Sequence, residues 1–136
     1  MTPKVAEGMP RRTRIMGQRF AVQPIKDLKV AEVHVSPGAL DASGWQHGEP
    51  EVFNVQGLCD ADAQVIQIET EGIGFDRFRE TYLHEHLHAM MALGGLRDTI
   101  SARDDEVIAK RLAPILLQFL RDNPRVYTFL TGRRLW

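Results

Sequence analysis

This chain of 136 residues has a single cysteine, Cys59, so no disulfide can form within it. A chain of this length buries roughly two-thirds of the surface its unfolded form exposes, enough for a core without covalent staples. A lone thiol also suits a reducing cytosol. No run of about 18 apolar residues occurs, which argues against a helical membrane span. The opening MTPKVAEGMPRRTRIMG lacks the continuous apolar stretch of a secretory signal. Formal net charge is -1, so no one-signed field draws the chain to nucleic acid or an anionic membrane. Only the first twenty residues are locally basic, through Lys4, Arg11, Arg12, Arg14 and Arg19. Internal repeats and low-complexity tracts are lacking as well. These absences predict one cytoplasmic domain with no nucleic-acid or membrane partner, and they leave the oligomeric state open.

What is present divides into two halves of different period. Residues 1 to 15 carry Pro3, Gly8 and Pro10 with no periodicity and are expected to be a flexible leader, leaving 16–136 as the domain. RFAVQPI (19–25) alternates apolar and polar residues as a half-buried strand does, with Pro24 marking an edge or exit. VAEVHVS (30–36) alternates likewise, and 37–50 is a Gly-, Ser- and Pro-rich loop. EVFNV (51–55) reads as a short strand, GLCDADA (57–63) as a turn, and QVIQIE (64–69) as the clearest strand. From Phe75 to Leu93 there is no Gly or Pro, and Gly94 and Gly95 follow where a helix end favours them. Ser101, with Asp104 three residues on, announces a second helix running to about Arg121. Pro114 should kink or divide it. Its apolar stripe, Ile108, Leu112, Ile115, Leu116 and Phe119, is expected to pack on the first helix, and Pro124 starts a short final helical segment.

The chemistry lies in LHEHLHAM (83–90), where His84, Glu85 and His88 stand in the order H-E-x-x-H. Histidines at i and i+4 share a helix face, so both imidazoles can reach one ion. Zinc lowers the pKa of its bound water to near 7, which makes the adjacent carboxylate of Glu85 a sufficient base. A random H-E-x-x-H should arise in roughly one chain in a hundred of this composition. The bland reading, a helix with solvated histidines, loses ground because the motif sits mid-helix beside an apolar side formed by Leu83, Leu87 and Met90. On a helix His86 points away from its neighbours, toward the surface or a second face. On a strand, 84, 86 and 88 would line one face, but the flanking residues are helix formers.

Catalytic zinc commonly has three protein ligands and an open position. Glu106 is the candidate third, near the start of the second helix and about ten residues beyond the Gly94–Gly95 link. An ordinary first-turn glutamate, favoured by the helix dipole, would look the same. Asp105 and Asp104 are its rivals if the helix phase differs. Cys59 reads either as a small buried residue or as a thiolate able to reach the metal. Arg77 and Arg79 read as solvated, and Trp45 and Trp136 as packing anchors.

These residues resemble the gluzincin metallopeptidases, especially the small single-domain ones (minigluzincin-like) encoded by phages and mobile elements. ETYLHEHLHAM is similar to the family's active-site helix, EVIAKRLAP (106–114) to its glutamate helix, and GLCDADAQVIQI (57–68) to the preceding turn and strand. The likeness covers about residues 15 to 125. It implies an α+β, zincin-like fold: a small twisted sheet packed on the active-site helix, followed by the glutamate-bearing helix. It also implies Zn2+ as cofactor, hydrolysis of a protein or peptide substrate, and an extended substrate beside a sheet edge. Larger relatives stabilise the oxyanion with a histidine or tyrosine from a further domain. Tyr82, Tyr127, His34 and His47 are the substitutes available here, none placed by a motif. The alternatives are a zinc-bound regulatory module that cleaves little, or a metal-dependent ribonuclease. The latter needs a third histidine where this chain has Gly94.

Overall fold

The computed structural model describes residues 3–32 and 51–132. Its strands are β1 (Arg12–Ile15), β2 (Gln18–Ile25), β3 (Lys29–Glu32), β4 (Glu51–Asn54), β5 (Gly57–Asp60) and β6 (Val65–Glu69). The helices are α1 (Phe75–Leu93), α2 (Ala102–Asp122) and α3 (Pro124–Thr131). The architecture is α+β: a four-stranded sheet in the order β1-β2-β6-β5, a separate β3–β4 pair, and the three helices.

Alternation along RFAVQPI makes β2 central. Phe20 and Val22 point to one face and, with Ile66 and Ile68 of the parallel strand β6, are its most deeply buried bulky side chains. Phe78 and Ala89 of α1 close over that face, so the site-bearing helix lies on the sheet. Pro24 sits beyond the point where β1 ends. The amide of Val22 bonds Arg11 on the β1 side, so the amide that Pro24 lacks would have faced that side too, beyond the residues of β1 that pair with β2.

Residues 3–15, which fall in the expected flexible leader, carry regular structure and contribute to the core. A two-residue turn at Met16 and Gly17, both at positive φ, folds β1 back on β2. Ile15 and Ala6 then join the core. GLCDADA also differs from expectation. Its first four residues are the edge strand β5, with Cys59 opposite Ile66, and the turn is confined to 61–64. There the Asp60 carboxylate accepts from the Ala63 amide at 2.9 Å. Residues 33–36 of the expected second strand, the 37–50 loop, His34, His47 and both tryptophans lie outside the described residues.

The α1 boundaries match those read from the sequence. Gly95 adopts φ 81°, and the chain reverses through a single 3-10 turn into α2. The Ser101 hydroxyl caps α2 by accepting from the Asp104 amide at 3.0 Å. α2 runs through Pro114 undivided. Its inward face is not the predicted stripe, however. Asp105, Ala109 and Ala113 are buried, the two alanines against Leu87 and Met91, while Ile108, Leu112, Ile115 and Phe119 are exposed. Met90, expected on the packing side of α1, is exposed too, and Met91 takes that place. Among the described residues no helix is long and apolar enough to cross a membrane.

Candidate metal centre

Because α1 is regular across 84–88, His84 and His88 present their rings one above the other, with centroids 4.8 Å apart. Their Nε2 atoms lie 3.1 Å from each other. Glu106, just past the first turn of α2, reaches across the helix pair. One carboxylate oxygen is 2.9 Å from His88 Nε2 and the other 3.3 Å from His84 Nε2. Among the described residues these three side chains form the cluster able to hold a metal ion.

The other nitrogen of His88 faces Asp105. Its Nδ1 donates to a carboxylate oxygen of this buried aspartate, whose second oxygen has no partner. With the proton on Nδ1, neutral His88 offers a lone pair at Nε2. That lone pair points at a carboxylate and at a second imidazole nitrogen, so acceptors confront one another. Such an arrangement is unfavourable until a cation, or an extra proton, stands between them. The donor separations match the edges of a tetrahedron with bonds of about 2.0–2.1 Å, which are roughly 3.3 Å long. The residues therefore fit a metal ion, and Asp105 lies behind the cluster rather than in it. It orients His88 and fixes its tautomer. Asp104 is exposed.

Glu85 is buried beside the cluster, with Oε1 3.9 Å from His84 Nε2. Burial pushes its carboxyl up to about 7; His88 draws it back down, and Glu106 adds to the rise. Burial likewise lowers the pKa of His84, against the pull of Glu106. Gly57, on β5, meets Glu85 so closely that a Cβ there would lie 2.7 Å from its Cγ and Oε1. Nothing in the sequence marked this glycine for such a role.

Two hollows open on the cluster and meet at Gly57, Glu85 and Glu106. One, of about 400 Å3, is also lined by Val55, Gln56, Arg77, Glu80, Thr81, His84 and Lys110. The other, of about 470 Å3, includes Leu58, Cys59, His88, Arg97, Ala102 and Asp105. Arg77 is held by Gln56 at 2.8 Å and Glu80 at 3.0 Å. Cys59 packs against the core, and burial, followed by the charge of Glu85, raises its pKa to about 11, so it stays a thiol.

His86 occupies the opposite face, buried rather than at the surface. Its Nδ1 donates to the Tyr82 carbonyl at 2.7 Å, which leaves Nε2 to accept from the Thr13 hydroxyl at 2.9 Å. The ring stacks on Tyr82 at 4.2 Å and ties α1 to β1. Tyr82 is thereby turned away from the cluster, and Tyr127 lies on α3; neither lines the two hollows. No family model, characterised protein or solved structure matches the chain.

Proposed function

We propose that the protein is a zinc-dependent metallopeptidase of the gluzincin type, built on a zincin-like arrangement of sheet and two helices. The observation that carries this reading is the convergence of His84, His88 and Glu106, each turning an acceptor toward one point, with buried Glu85 alongside. Two imidazoles and a carboxylate suit zinc among the available divalent metals. Zinc held there would supply a water acidic enough to lose its proton near neutral pH and would polarise a carbonyl oxygen.

Glu85 is the general base. A carboxyl raised to about 7 by burial holds a proton better than an exposed glutamate does. It can therefore take one from the attacking water and return it to the departing amine. The cation would draw that value down, leaving Glu85 ionised at neutral pH before attack. Asp105 keeps the His88 lone pair aimed at the metal. Among the described strands β5 is an edge; it borders the hollows and would offer its outer backbone groups to an extended peptide.

Metal content of the purified chain, beside His84→Ala and Glu106→Ala, tests the site. About one zinc per chain is expected, largely lost in both variants. Glu85→Gln should keep the metal and lose about 10²–10⁴-fold in hydrolysis of a peptide library. No metal in the parent after zinc is added would sink the proposal. The second reading, a zinc-bound regulatory module, is favoured by the hollows' lack of a tyrosine or further histidine as oxyanion donor among the described residues. Losing such a donor can cost about 2.7–4 kcal/mol of transition-state stabilisation. A Glu85→Gln variant that keeps full biological function would decide for it.

A further inference from the structure

The hollow of about 400 Å3 at the metal centre holds charges that the chemistry proposed above does not use. Lys110 stands about one turn beyond Glu106 on α2, roughly 6 Å further along the helix axis. A glutamate four residues ahead of a lysine usually pairs with it on a helix surface. Here Glu106 turns both carboxylate oxygens to His84 and His88 instead. Lys110, exposed on the wall of the hollow, is left with no hydrogen-bond or ion-pair partner among the described residues. From α1 comes Arg77. Gln56 holds its Nε and Glu80 holds Nη1, so the guanidinium is oriented while Nη2 stays open to a ligand.

The ionisable groups of this lining are Arg77, Glu80, His84, Glu85, Glu106 and Lys110. Glu80 answers Arg77 at 3.0 Å. A divalent ion on the two neutral imidazoles would be answered by Glu106 and Glu85, and a protonated Glu85 would only add positive charge. Lys110 is then the charge without a counterpart, and the hollow is net positive. The neighbouring hollow is not: beyond the centre's own groups its charges are Arg97 and Asp105, one of each sign. We infer that the hollow beside Lys110 receives a carboxylate of the substrate, held by Lys110 and by Nη2 of Arg77, so that the chain prefers acidic peptides. This rests on the peptidase reading and gives it a substrate class. The carboxylate is that of an aspartate or glutamate side chain, or the peptide's own C-terminus, close to the bond that is cut. Each residue of an extended peptide advances about 3.3–3.6 Å, so one or two residues span the helical turn between the ligand Glu106 and Lys110. A lysine or arginine in the same place would be repelled.

The test uses the zinc-loaded full chain and matched fluorogenic peptides. These carry glutamate, glutamine or lysine at each of the two positions on either side of the scissile bond, with an amidated end. A further glutamine peptide places a free C-terminus at the glutamate's distance. A carboxylate peptide should exceed the amidated glutamine peptide about tenfold in kcat/KM, the low end for hydrogen bonds to a charged group. The advantage should lie in KM and shrink as salt is added. Its appearance with glutamate marks a side-chain carboxylate, and with the free end a terminal one. Lys110→Met should abolish it, and Lys110→Glu should turn it into a preference for lysine. Both variants should keep their zinc, because the side chain is exposed and bonds no ligand. Anisotropy of the same peptides labelled and bound to zinc-loaded Glu85→Gln should follow the same order without turnover. Equal cleavage of all the peptides overturns the inference and leaves the peptidase reading standing. So does a carboxylate preference that survives both Lys110 variants. Peptides bound in the expected order by Glu85→Gln but cut by no form of the chain would uphold the carboxylate site and overturn the peptidase reading. A chain that takes up no zinc overturns both.

Discussion

Replacing Asp105 by asparagine removes one buried charge and leaves the shape of the centre nearly intact. The asparagine oxygen can still accept from His88 Nδ1, so the tautomer survives, but the ring loses the negative charge that makes Nε2 a stronger donor to a metal. Asp105→Leu goes further and frees the ring to rotate or to take the other tautomer. Outer-sphere partners of this kind typically contribute 10–100-fold in metal affinity, or about 1.4–2.7 kcal/mol. Asp105→Asn is expected near the lower figure and Asp105→Leu near the upper. Stability without metal should move the other way or not at all. Asp105 is buried, its second oxygen has no partner, and removing such a charge relieves a desolvation cost. Zinc competition against a chelator and thermal unfolding of the metal-free chain, run side by side, separate the two effects. If Asp105→Asn binds zinc as tightly as the parent, the carboxylate does not tune His88. If Asp105→Leu abolishes binding while Glu106→Ala keeps it, Asp105 is itself the third ligand and the assignment of Glu106 fails.

Two further outcomes follow from neighbouring residues. Gly57→Ala places a methyl group 2.7 Å from Glu85 Cγ and Oε1, so the base must swing away. Peptide hydrolysis should fall about 10²-fold, the usual cost of a displacement near 1 Å, with zinc content unchanged; equal activity would mean that Glu85 works from another rotamer. His86 is held neutral chiefly by burial, against its backbone bond to Tyr82, so its folded pKa lies below the unfolded value of about 6.5. Its contribution to stability is complete above that value and is lost as pH falls through the folded pKa, because the unfolded chain takes up the proton first. The advantage in Tm of the metal-free parent over His86→Gln should therefore narrow from pH 7 to pH 5, and a constant gap would refute this role.

Much of the centre was legible in the sequence because helix geometry is local. Once 75–93 is a helix, His84 and His88 must share a face, and the Ser101 cap fixes where Asp105 and Glu106 fall near the start of α2. The role of Gly57 was not legible, since it depends on where β5 lies against α1, a contact across 28 residues of chain. Nor was the structure of residues 3–15. Ala6 and Ile15 are buried by neighbours far along the sequence, and a strand of four residues such as β1 is too short for alternation to stand out.

The misread face of α2 has a more particular cause. Hydrophobic periodicity orients a helix when burial alone decides, and by that rule Ile108, Leu112, Ile115 and Phe119 belong inside. Two other demands override it. Glu106 must reach the histidines and Asp105 must stand behind His88, which rotates the helix so that 105, 109 and 113 face α1. Alanine at 109 and 113 then lets the two helices approach closely enough for short side chains to span the gap. Local rules fail most often where a site sets the geometry, and the displaced apolar residues are the residue of that conflict. They remain on the outer side of α2, so that the same rotation which assembles the centre also leaves this chain with an apolar surface to cover.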